Sequence, residues 1–150
     1  MDEENKANIA DILASLGTAF GIDGLPEPRE GRVEFAIDDK IGAAIIPASA
    51  EEVGADVLIA VLFLGYPDRD DSAKLMELLE ANYMGCGTGD GTLAVEPRSG
   101  ALVLQRVFNL PLDASDFVEA FGRLLAAARY WQPRLTASAS PAGEGLAFRA

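Results

Sequence analysis

The hydrophobic pattern changes its period between residues 75 and 109, and this change constrains the fold more than any other feature of the chain. Before Gly85 the apolar residues follow helical spacing, and after it they alternate with polar residues until Val107. The helical part has two apolar rows, Leu75/Leu78/Leu79 and Met76/Leu79/Tyr83, and the alternating part begins with Leu93 and Val95. The stretch therefore predicts a helix with more than one side to bury, a glycine-rich break and a β-hairpin that turns at residues 96–100.

The rest of the chain supplies elements of the same two kinds. Residues 8–20 have the apolar stripe of an amphipathic helix that ends at Gly21 or Gly24. Residues 33–37 alternate like a strand with one wet face, which suits a sheet edge, and a second strand is predicted over residues 41–48. Residues 55–64 are apolar on both faces and predict the central strand, while Asp113 caps a last helix.

These elements predict a single α+β domain with the order α-β-β-β-α-β-β-α. Its antiparallel, twisted sheet packs against the helices. The middle helix has two apolar rows, which suggests a homodimer. The domain spans residues 1–132. Residues 133–150 are rich in Ser, Ala, Pro and Gly and predict a flexible tail.

Charge and composition exclude several kinds of partner. The formal net charge of −12 disfavours nucleic acid, whose affinity comes from Lys and Arg that neutralise phosphates, and disfavours an anionic membrane surface as well. The longest apolar run, residues 57–64, is far shorter than the roughly 20 residues that span a bilayer, and no secretory signal is visible. The single cysteine, Cys86, fits a reducing compartment, so a soluble cytoplasmic protein is expected.

The sequence offers no recognisable catalytic or metal-binding constellation. It contains no histidine, and Cys86 follows the end of a helix, where a thiolate is not stabilised. The glycines of residues 85–91 come after a helix and before a strand, the reverse of a phosphate-binding loop, and are interpreted as a helix cap and a bend. We therefore expect no enzyme activity, no cofactor and no metal.

The middle of the chain resembles a known family. Residues 78–82 (Leu-Leu-Glu-Ala-Asn), the glycine break, residues 92–94 (Thr-Leu-Ala), the acidic-Pro turn closed by Gly100 and residues 102–104 (Leu-Val-Leu) are similar to the second helix and last two strands of type III secretion chaperones of the CesT-like family. The resemblance implies a homodimer that binds the N-terminal segment of a secreted effector in extended form and keeps it secretion-competent. It also suggests the secretion ATPase as a further partner.

The resemblance also implies two sets of site residues. The effector is expected against the first helix and first three strands, and the dimer interface on the second helix and the last hairpin. The effector set is Leu13, Leu16, Phe20, Val33, Phe35 and Ile45, and the interface set is Leu75, Met76, Leu79, Tyr83, Leu93 and Val95. Two other classes stay open: an adaptor or regulatory domain that binds a folded partner surface, and a small enzyme that uses paired carboxylates.

Overall fold

Five strands and four helices make up the part of the chain that the computed structural model describes, which is residues 1–22, 25, 26, 28 and 31–138. In chain order the elements are α1 (Glu3–Phe20), β1 (Val33–Ile37), β2 (Ile41–Ala48), α2 (Ala50–Val53), β3 (Val57–Gly65), α3 (Ser72–Ala81), a 3₁₀ turn (Tyr83–Gly85), β4 (Thr92–Val95), β5 (Leu102–Asn109) and α4 (Ala114–Ser138).

The strands form one antiparallel sheet in the order β1-β2-β3-β5-β4. This confirms the predicted α+β class and element order, with β3 at the centre and β1 at an edge. The single turn of α2 is an addition to the predicted elements. Ser49 and Glu52 form a reciprocal capping box there, and Gly54 ends the turn in the left-handed conformation.

The helix ends follow from their capping residues. The carboxylate of Asp2 accepts a hydrogen bond from the backbone N–H of Asn5 at 2.8 Å, so α1 begins at Glu3. The predicted start of this helix was residue 8. Gly21 ends the same helix with φ 65°. The carboxylate of Asp71 caps α3 in the same way by accepting from the N–H of Lys74.

The core lies between one face of the sheet, here called the inner face, and the two long helices α1 and α4. It includes the following residues from these elements: Ile12 and Leu16 of α1, Phe35, Ile45, Leu58, Leu62 and Leu104 of the strands, and Phe117, Phe121, Leu124 and Leu125 of α4. Phe121 contacts both Phe20 and Phe35, with ring centroids 5.4 and 6.4 Å away. Phe121 therefore connects the end of α1 to β1 within the core.

The last helix continues past the predicted domain boundary. The chain is helical to Ser138, although Pro133 removes one backbone donor from the helix interior. Trp131 and Leu135 are 4% and 5% exposed and belong to the core, and their burial stabilises the helix on both sides of the proline. Residues 133–138, which were predicted to belong to the tail, are thus helical. Residues 139–150 lie outside the described residues, so the tail itself stays a prediction.

The glycine-rich loop packs directly onto α4. The indole Nε1–H of Trp131 donates to the carbonyl of Gly87 at 2.8 Å, and the buried Thr88 hydroxyl donates to the carbonyl of Gly91 at 2.6 Å. At Gly89, with φ 59°, a Cβ atom would lie 2.4 Å from the carbonyl oxygen of Arg123. Only glycine lets the loop approach the helix backbone this closely.

We expect Gly89→Ala to lower the free energy of unfolding by about 1 to 3 kcal/mol, because the added methyl group meets backbone that cannot yield. The matched control is Gly122→Ala within α4, where the added Cβ meets nothing within 4 Å. That change should raise stability by about 0.5 to 1 kcal/mol, since alanine favours a helix interior. Urea unfolding of both variants measures the two effects, and equal effects would contradict the described loop packing.

Candidate functional site

The six residues predicted to contact an effector divide into two groups. Leu16, Val33, Phe35 and Ile45 are at most 9% exposed and lie in the core. Leu13 and Phe20 are half-buried at its margin. The first four therefore have almost no exposed surface in this structure, and effector contact at all six residues stays a prediction. Their apolar periodicity marks the inner face of the sheet and the buried side of α1, and core packing alone accounts for it.

The six residues predicted for the dimer interface are mostly exposed. Leu93 is buried and Leu75 half-buried, while Met76, Leu79, Tyr83 and Val95 are 57%, 64%, 74% and 44% exposed. The second apolar row of α3 thus faces outward, and only Leu78 of this helix is fully inside the core. Exposed apolar side chains in a row along one helix are typical of an interaction surface. Met84, which the sequence reasoning missed, extends this row at 80% exposed.

The opposite face of the sheet, here called the outer face, carries a second apolar cluster that the sequence reasoning also missed. Ala44, Val61 and Val103 form its centre, and Ile46, Ile59, Phe63 and Ala94 surround them. Among the described residues no helical side chain belongs to this cluster. The signal was present in β3, whose residues are apolar on both faces, but it indicated a central strand and not that helices would cover one face only.

The acidic and thiol side chains of the described residues form no metal-binding cluster. These residues contain no group of three or more His, Cys, Asp or Glu side chains that could hold a metal ion, and the free Cys86 is exposed. The carboxylates with perturbed acidity belong to capping and loop contacts. The pKa of Asp56 is lowered mainly by the side-chain hydrogen bond from Asn5, and that of Asp113 mainly by the Ser115 hydroxyl. The hydrogen bonds that cause these pKa shifts stabilise local structure.

No helix within the described ranges is both long and apolar enough to cross a membrane.

Comparison with known families identifies the chain. Residues 11–132 match the family described as Tir chaperone protein (CesT), so the chain belongs to this family. The match covers every element from most of α1 to most of α4. No curated protein sequence matches the chain.

Solved structures show the same fold at low sequence identity. The chain is similar to a protein in the HopA1-SchA chaperone-effector complex, with TM-score 0.67, 17% identity, and coverage of 89% of this chain and 98% of that one. It is similar to a protein in the ExoU-SpcU type III secretion complex of Pseudomonas aeruginosa, with TM-score 0.61, 19% identity and coverage of 85% and 97%. For the Yersinia pestis type III secretion chaperone SycH in complex with a YscM2 fragment, the values are 0.58, 16%, 79% and 95%.

Leu16 should behave as a core residue. We expect Leu16→Ala to lower the free energy of unfolding by about 2 to 5 kcal/mol, because it leaves a cavity at a side chain that is 0% exposed. Leu13→Ala, on the same helix but half-buried, should cost only about 1 kcal/mol. Urea denaturation followed by circular dichroism measures both. A loss at Leu16 no larger than at Leu13 would show that Leu16 is not enclosed.

Proposed function

We propose that the protein is a cytoplasmic type III secretion chaperone that holds the N-terminal segment of a secreted effector in extended form and hands it to the secretion machinery. The observation that carries the proposal is the family match over residues 11–132. The structural relatives support it, because one lies in the HopA1-SchA chaperone-effector complex and another is the type III secretion chaperone SycH in complex with a fragment of YscM2. The residues add a second argument, since the described part offers surfaces for binding and no constellation for chemistry. The proposed role is therefore not enzymatic.

The edge strand β1 is where an extended segment would bind. The carbonyl of Ile37 accepts a hydrogen bond from the N–H of Lys40 in the turn between β1 and β2. The backbone groups of Ile37 therefore point toward β2. Backbone direction alternates along a strand, and the N–H and C=O of Glu34 and Ala36 therefore point away from β2. A guest strand can pair with them, as in other cases of strand addition. Its side chains on the inner side would lie near Phe20 and Leu13.

A homodimer through α3 is the second part of the proposal. Met76, Leu79 and Tyr83 are spaced i, i+3 and i+7, so they form one stripe on the outside of α3 and the turn that follows. Two such stripes can meet around a two-fold axis, where the same residues face each other. The formal charge of −12 on each chain opposes association, so apolar contact has to supply the attraction.

Replacing the apolar stripe with charge should separate the dimer. We expect Met76→Glu/Leu79→Glu to give a folded monomer, because four new carboxylates would face one another across the proposed axis. The control variant is Ala126→Glu, an exposed position of α4, which should leave the association unchanged. Light scattering at micromolar concentration gives the masses. A parent protein that is already monomeric, or a double variant that stays dimeric, would contradict this interface.

A proline at the β1 edge should weaken binding of the effector. The probe is the N-terminal segment of the protein encoded by the adjacent open reading frame, titrated calorimetrically. Ala36→Pro removes one outward N–H, so we expect binding to weaken about 5- to 10-fold, the value of one hydrogen bond. Ala36→Val keeps the N–H and should bind like the parent.

The same experiment distinguishes the alternative function. If Ala36→Pro and Ala36→Val bind the segment equally well, no strand is added at β1, and an adaptor that recognises a folded partner is the better description. Limited proteolysis of the bound segment gives an independent reading. An extended guest is cleaved rapidly when free and is protected only where it contacts the chaperone.

A further inference from the structure

The side chain of Asn82 occupies the free edge of β4. Its amide Nδ2–H donates to the carbonyl of Leu93 at 3.0 Å, and its Oδ1 accepts from the N–H of Leu93 at 2.7 Å. Both bonds are within the ordinary range for N–H···O contacts. One side chain at the end of α3 thus satisfies both backbone groups of one strand residue, as a neighbouring strand would.

The groups that Asn82 binds are the ones that an added strand would need. Among the described strands, β4 lies at the end of the sheet and pairs with β5 alone. The N–H of Glu96 donates to the carbonyl of Ala101 at 2.8 Å, so Glu96 faces β5. By alternation Ala94 faces β5 too, and Leu93 and Val95 direct their backbone groups out of the sheet.

We infer that Asn82 closes the β4 edge to strand addition and thereby directs an extended guest to the β1 edge. β4 is only four residues long, and two of its residues direct their backbone N–H and C=O away from β5. Asn82 binds both backbone groups of one of these two residues, Leu93. A guest at this edge would have to displace two hydrogen bonds before it formed its own, whereas Glu34 and Ala36 of β1 need no such exchange with a described side chain. Unprotected edges are sites of unwanted pairing, and a side chain that covers one is a known remedy.

The identity of the guest rests on the proposed function, whereas the closure of the β4 edge by Asn82 does not. The closure depends on both halves of the amide, because an aspartate at this position keeps an acceptor for the N–H of Leu93 and loses the donor for its carbonyl. Asn8 provides a matched comparison elsewhere in the molecule. Its side chain makes the same reciprocal pair with the N–H and C=O of Leu112, in the connection between β5 and α4, at 2.8 and 2.6 Å.

The test compares the two edges by disulfide trapping in a Cys86→Ser background. Ala36→Cys places a thiol on β1 and Thr92→Cys places one on β4, and both positions are exposed on the outer face of an edge strand. The probe is a short synthetic peptide that alternates valine with lysine and ends in cysteine. The N-terminal segment from the adjacent reading frame, with a cysteine added, is used in parallel, and oxidised glutathione serves as the oxidant for both. Each thiol is combined with Asn82→Leu, Asn82→Asp and the control Asn8→Leu.

We expect the parent and Asn8→Leu to trap the probe at position 36 and not at position 92. Asn82→Leu should raise trapping at position 92 about tenfold or more, since it releases both backbone groups of Leu93, and Asn82→Asp should raise it about three- to tenfold, since it releases only the carbonyl. Two outcomes would overturn the inference: equal trapping at both edges in the parent, or no rise at position 92 in folded Asn82 variants, which would leave Asn82 with a purely structural role. Should Asn82→Leu fail to fold, Asn82→Asp decides the question.

Failure of the proposed function gives a different pattern. If the effector segment is trapped at neither edge of the parent while the synthetic peptide still gains access to position 92 in the Asn82 variants, the closure stands and strand addition of the effector does not.

Discussion

The structure depends on a mismatch between a sheet that is apolar on both faces and helices that cover only one. α1 and α4 pack on the inner face and bury its side chains. The cluster around Val61 on the outer face and the row Met76, Leu79 and Tyr83 on α3 are left without such cover. The centre of the outer-face cluster is at most 8% exposed, whereas the α3 row is open to solvent, and an exposed apolar row of this kind is typical of a contact with another protein surface, a second copy of the chain included. Membership of the CesT family is consistent with a molecule built in this way.

The fold could be predicted to a large extent because each element has a local signal. Helical spacing marks α1, α3 and α4, alternation marks β1 and the last hairpin, and Asp71 and Asp113 begin helices through their own carboxylates. The continuation of α4 beyond Pro133 has no local signal. It depends on the burial of Trp131 and Leu135 against the rest of the core, which sequence spacing alone does not show.

The exposure of the candidate site residues could not be predicted from the sequence, for a physical reason. An apolar stripe shows that a side chain avoids water but not whether it does so inside its own domain or against a partner. Leu16 and Met76 have equally regular spacing, yet one is 0% and the other 57% exposed. Tertiary packing decides between them. The role of Asn82 was equally hidden, because its two bonds join residues eleven positions apart through side-chain atoms.

Hydrogen exchange can show whether an extended effector segment joins the sheet at β1. Amide exchange is followed by NMR in the free protein and in the complex with the N-terminal segment from the adjacent reading frame. If the segment joins the sheet there, the outward amides of Glu34 and Ala36 will exchange much more slowly in the complex. The exchange rate of the Leu93 amide, which is already bonded to Asn82, will change little. Unchanged exchange at Glu34 and Ala36 in a saturated complex would contradict strand addition at β1.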